Sequence, residues 1–140
     1  MLEHASPHGS PLDATLAEWH RVLAHRGALL VAVPDLRAVA AAYARDDVDV
    51  DDRTRLGRVL YGGQTTRADY HHVGFDYESL RRTLGAAGFC DITRVRSFGL
   101  FNDSSLVAFR GAPLSLNVQA RACGKRGPRV AVDVPATPWD

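Results

Sequence analysis

Leu12, Leu16, Trp19 and Leu23 recur at helical spacing between polar residues, so the pattern places them on one apolar face of a helix. Ser10 is the expected N-cap, Pro11 suits the first helical position, and Asp13 favours the positive end of the helix dipole. Gly27 is the expected left-handed stop. Ala28-Leu29-Leu30-Val31-Ala32-Val33 then runs unbroken and apolar, as a strand covered on both faces does, until Pro34 ends it. A helix tightly followed by such a strand belongs to an α/β layer.

The same pattern divides the rest of the chain. Asp35 caps a helix with Leu36, Val39 and Tyr43 on one side, and a short helix carrying Leu56, Val59 and Leu60 ends at Gly62-Gly63. Between them, Arg45 to Arg58 is dense in aspartate and arginine. DDVDVDD lacks the turn glycine and terminal glutamate of a calcium loop, so it reads as a solvated connection whose aspartates cap the next helix. Phe75 and Leu80 form a hydrophobic staple around an Asp76 N-cap; Leu80, Leu84 and Ala87 make a buried stripe that Gly88 closes. Phe89 to Val95 is the next strand, Phe98 to Asp103 a turn, Ser105 to Phe109 a short strand returning antiparallel, and Leu114 to Val118 the last ordered segment. From Arg121 periodicity is lost, which divides the chain into a domain over 1–120 and a flexible tail over 121–140. In that tail Arg121, Lys125, Arg126 and Arg129 are read as solvated, and Trp139 as packed or exposed.

Composition changes this picture little. The 140 residues suit one domain, the 46% apolar content supports a core, and a net charge of +1 gives no argument for nucleic acid or an anionic membrane. Cys90 and Cys123 make no disulfide framework, and nothing marks export or a membrane span. The expected location is therefore cytoplasmic.

The helix–strand wording, with Leu16, Glu18, Trp19, Arg21, Val22, Leu23, Gly27, Leu29, Val33, Pro34 and Asp35, resembles the unit after the fourth strand of class I S-adenosylmethionine-dependent methyltransferases. Leu2-Glu3-His4 resembles the segment that follows that fourth strand. The resemblance continues through Gly62-Gly63-Gln64, Asp69-Tyr70-His71, Gly74-Phe75, Gly88-Phe89, Phe98 to Phe101 and Leu114 to Val118, as in a small bacterial branch of predicted methyltransferases. It implies the C-terminal half of a Rossmann-like fold: about three strands, one antiparallel, with flanking helices. It also implies that Met1 falls past the first four strands. The glycine-rich turn and ribose-binding acid of the N-terminal, cofactor-binding half are then missing, since Gly85 and Gly88 in TLGAAGF read as helix packing and a cap.

The chemistry implied is methyl transfer from S-adenosylmethionine to an O or N acceptor whose identity the residues do not name. His71 matches the family pattern and is the expected catalytic base, with Asp69 or Asp76 orienting it; a loop histidine that bonds backbone and positions a lid is the structural alternative. Glu3 and His4 are expected at the methionine end of the cofactor. Gln64, Asp69, Tyr70, Asn102 and Asp103 are substrate-side candidates, although turn chemistry explains the last two equally well. Gly62-Gly63-Gln64 also spells the tripeptide of peptide-release factors, but no strongly basic arm surrounds it, and it reads as a loop with a polar tip. His4, His8, His71 and His72 lack metal-site spacing, so no metal ligand is assigned. Two functions follow: a methyltransferase or its C-terminal half, binding cofactor weakly or not at all alone, with a second copy or the missing N-terminal half as its partner, and a non-catalytic, degenerate module that dimerises or docks onto a partner through an unpaired sheet edge.

Overall fold

The structure, a computed structural model, describes residues 2–5, 11–66 and 69–124. A 3₁₀ turn, Leu2–His4, precedes helix α1 (Pro11–Val22), strand β1 (Ala28–Pro34), helices α2 (Leu36–Tyr43), α3 (Val50–Tyr61) and α4 (Tyr77–Ala86), and strand β2 (Phe89–Val95). A second 3₁₀ turn (Ser104–Leu106), a two-residue hairpin of β3 (Ala108–Phe109) and β4 (Ala112–Pro113), and a long β5 (Ser115–Ala122) complete the described chain. The main sheet runs β1-β5-β2, with β5 antiparallel to both neighbours, so β1 and β2 point the same way on either side of a reversed strand.

Packing explains this order. Register places Val31 opposite Val118 and Val33 opposite Leu116, on one face of the sheet. These four are buried in one cluster with Leu16 of α1 and with Leu80 and Leu84 of α4; Trp19 and Leu23 pack against it. A second cluster joins Val39 and Ala42 of α2 to Val48, Leu56 of α3 and Leu114. The bridge between them is Asp35. Its Oδ1 accepts from the amides of Arg37 and Ala38, its Oδ2 from Arg94 at 2.7 Å, and its own amide donates to the Leu114 carbonyl.

Several expectations are corrected. The reversed strand is Ser115–Ala122, not Ser105–Phe109; Ser104–Leu106 turns because Asp103 accepts from the Ser105 amide and caps it. The strand also carries the ordered chain past Arg121, and residues 125–140, including Lys125, Arg126, Arg129 and Trp139, lie outside the described residues, as do Ser10 and His8. Strand β1 is not covered on both faces: Val31 and Val33 are buried, whereas Leu30 is 39% exposed. Along its outer edge no strand pairs among the described residues. The left-handed residue after α1 is Arg26 (φ 62°), not Gly27, because the Arg26 amide turns to the Ala122 carbonyl at 2.7 Å while its side chain pairs with Asp91. Gly88 does take the left-handed geometry, at φ 94°. On α2 the buried stripe is Val39 and Ala42, with Leu36 and Tyr43 exposed. Cys90 and Cys123 are joined in a disulfide, because the β2–β5 register brings Cys90 beside the end of β5 and the two Cα atoms stand 5.7 Å apart.

Candidate functional site

A cavity of about 260 Å³ opens off the carboxyl end of β1 and draws on sequence-distant segments: Glu3, Arg58, Gly62, Gly63, Asp69 and His71 all line it. Ligands of open α/β sheets gather at strand carboxyl ends for a structural reason, since that is where loops from several elements converge. Here the convergence is held by backbone bonds. The amides of His72 and Val73 donate to the Glu3 carbonyl at 2.7 and 3.2 Å, and the His71 amide donates to the Tyr61 carbonyl at the end of α3.

The histidines are oriented by carbonyls rather than by aspartates. His71 Nδ1 lies 3.0 Å from the Leu60 carbonyl oxygen and His4 Nδ1 3.0 Å from that of Tyr70. A carbonyl oxygen only accepts, so each Nδ1 carries the proton and each Nε2 of the neutral ring presents a lone pair. Both Nε2 atoms face Glu3 Oε1, at 3.8 Å for His4 and 3.9 Å for His71, and the two rings meet edge to face at 4.7 Å. Glu3 is largely buried, and the His71 side chain is 13% exposed. This triad joins the expected base to the two residues expected at the cofactor. Spacing could not show it, because His4 and His71 meet only through the fold.

The two aspartates expected to orient His71 do other work. Asp69 accepts from the Thr65 amide and hydroxyl, and these bonds hold its carboxyl below the usual range. Asp76 closes a capping box with Ser79, which likewise lowers its pKa. Gly62 (φ 81°) and Gly63 let the chain pass against Asp69: a Cβ on the first would run into the Asp69 carbonyl, and on the second into its carboxylate. Gln64 is exposed at φ 56° and Tyr70 is 43% exposed, placing both outward from the cavity rim.

Asn102 and Asp103 do not reach the triad. Asp103 lines a separate groove of about 580 Å³ with Leu2, Trp19, Leu23, Leu30 and Phe101, beside the open edge of β1. Its carboxyl is held low by the Ser105 hydroxyl and amide. Asn102 is exposed. Sequence reasoning missed Arg58 and Ser115 as cavity residues, and also Asn117, which is buried and donates to the Arg96 and Ser105 carbonyls at 2.7 and 2.8 Å. A polar residue in the middle of the apolar LSLNVQA strand was the available signal for Asn117.

No protein-family model, curated protein or solved structure matches this chain. Among the described residues no helix is long and apolar enough to cross a membrane.

Proposed function

We propose that the chain supplies the acceptor-side half of a class I methyltransferase site, transferring a methyl group from S-adenosylmethionine to an oxygen or nitrogen. The observation that carries this reading is convergence: Glu3, Gly62-Gly63 and Asp69 with His71 come from three separate segments of the resemblance and line one cavity. The reversed strand between two parallel ones also suits the C-terminal half of the Rossmann-like fold that the resemblance implies. In this reading the bare Nε2 of His71 takes the acceptor's proton as the methyl group moves in line from sulfur, and Glu3 steadies the resulting imidazolium. Glu3 and His4 meet the methionine end of the cofactor. The cytoplasmic expectation rested on unpaired cysteines, and the Cys90–Cys123 disulfide removes that support.

The test is solution NMR of the full chain titrated with S-adenosylmethionine to millimolar concentration, followed by methyl-label transfer to a panel of hydroxyl and amine acceptors. Expected are at most weak shifts, confined to residues around Glu3, Gly62 and His71; in the enzyme reassembled with a cofactor-binding half, His71→Ala should lower label transfer by about 10²–10⁴-fold with little change in cofactor affinity. Shifts centred elsewhere in the chain, or transfer in the reassembled enzyme that His71→Ala leaves unchanged, overturn the reading.

The groove beside β1 favours a second reading, a non-catalytic module that pairs with another copy of itself. Leu30 and Phe101 are exposed there, and the outer edge of β1, unpaired among the described residues, offers backbone donors and acceptors to a further strand.

A further inference from the structure

We propose that Glu3, His4 and His71 form a binding site for one divalent first-row transition-metal ion, such as Zn²⁺ or Mn²⁺. This rests on the three donors and not on methyl transfer.

Three features point to it. The ligand atoms Glu3 Oε1, His4 Nε2 and His71 Nε2 all lie within 4.8 Å of one another. Donors bound at about 2.1 Å to one tetrahedral ion stand about 3.4 Å apart. The carboxylate–imidazole separations of 3.8 and 3.9 Å lie within about 0.5 Å of that spacing. The imidazole pair, within 4.8 Å, needs a closing shift of about 1.4 Å at most, within reach of small side-chain rotations.

The second feature is the outer shell. Metal-bound histidines characteristically donate their other ring N–H to a carbonyl or carboxylate, which fixes the tautomer and aims the ligating nitrogen. Both histidines do so, through Leu60 and Tyr70. Two ring Nε2 atoms and a carboxylate oxygen therefore converge on one point, an arrangement that a cation stabilises.

The third feature is access. The cavity bordered by Glu3 and His71 leaves room for exchangeable ligands, as an open two-histidine, one-carboxylate site requires. Of the charged groups lining it, Asp69 reinforces the attraction and Arg58 opposes it. Imidazole with carboxylate suits Zn²⁺ or Mn²⁺ better than Mg²⁺ or Ca²⁺, which prefer all-oxygen shells. With an ion bound, the His71 lone pair is committed to it, so proton and metal compete for the same nitrogen.

The experiment is calorimetry of the untagged full chain with Zn²⁺ and with Mn²⁺, keeping the Cys90–Cys123 disulfide intact so that its sulfurs are not ligands. One ion per chain is expected. Glu3→Gln and His71→Ala should each weaken binding about tenfold or more, since even outer-shell partners are worth about 10–100-fold. His72→Ala, at the exposed neighbouring histidine, should leave binding unchanged. Glu3→Gln preserves side-chain shape, and circular dichroism of each variant separates lost ligation from lost fold. Failure of the wild-type chain to bind either ion stoichiometrically overturns the proposal, as does binding that survives both substitutions. Because no cofactor or acceptor enters the measurement, its outcome is independent of whether the chain transfers methyl groups.

Discussion

At the scale of single residues, the loop that carries His71 is held by backbone geometry that only a few side chains tolerate. Gly62 sits at φ 81°, with the Asp69 carbonyl where a Cβ would go. With ψ at 169° this is a backbone region that essentially only glycine occupies, so Gly62→Ala is expected to cost about 1–3 kcal/mol from backbone strain alone, and more from the clash. Denaturant unfolding would measure it, and Gly85→Ala, which has open space around it, serves as the comparison. A second residue-scale effect concerns acid. A hydrogen bond from Arg45, with further attraction from Arg110, lowers the Asp47 carboxyl to about 2 from an ordinary 3.8. A depressed folded-state value means the stabilisation is complete above the ordinary value and disappears as pH falls through the folded one. Thermal midpoints should therefore drop on acidification across that window, and Asp47→Asn should flatten part of the drop. Asp47 is exposed, so added salt should shrink the difference.

At the scale of elements, the disulfide ties β2 to the end of β5 across a sequence separation of 33 residues. Closing a loop of that size removes chain entropy from the unfolded state, worth about 3–4 kcal/mol in the loop-entropy account. Reduction, or Cys90→Ser, is expected to lower unfolding stability by about that amount, read from denaturant midpoints with and without reductant. An unchanged midpoint would show that the cross-link adds nothing to a β2–β5 pairing already held by Phe89, Val118 and Ala120 in the core. The helices gain their stability differently. Leu84 is fully buried beneath α4, and Leu84→Ala should cost about 2–5 kcal/mol through lost burial and the cavity left behind.

At the scale of the whole molecule, the sheet is asymmetric. One face is covered by α1 and α4, while among the described residues no strand pairs with the outer edge of β1, which lies beside an apolar groove. Under the pairing reading, light scattering should show association that rises with concentration, and Leu30→Lys should suppress it by placing charge where the partner would seat. A monomer at all concentrations would remove that reading and leave the methyltransferase reading in place.

Much of this architecture follows from local physics and was legible in order along the chain. The amphipathic spacing of Leu12, Leu16 and Trp19, the caps at Asp35 and Asp76, and the strand at Phe89 all appear as read, because each depends on neighbours a few residues away. Solvent exposure of Leu30 was not legible: an unbroken apolar run looks the same whether the sheet is covered on one face or two. The reversed strand was misplaced because the short Ser105 segment and the longer Ser115 strand both carry strand-like residues, and only pairing to β1 and β2 distinguishes them. The disulfide and the triad depend wholly on tertiary structure. Cys90 meets Cys123, and His4 meets His71, through sheet register and through the backbone bonds that draw His72 and Val73 onto Glu3. Local sequence set the helices and the strands β1 and β2; long-range pairing decided which segment became the reversed strand and which chemical groups face one another, since both are fixed by contacts between residues far apart in the chain.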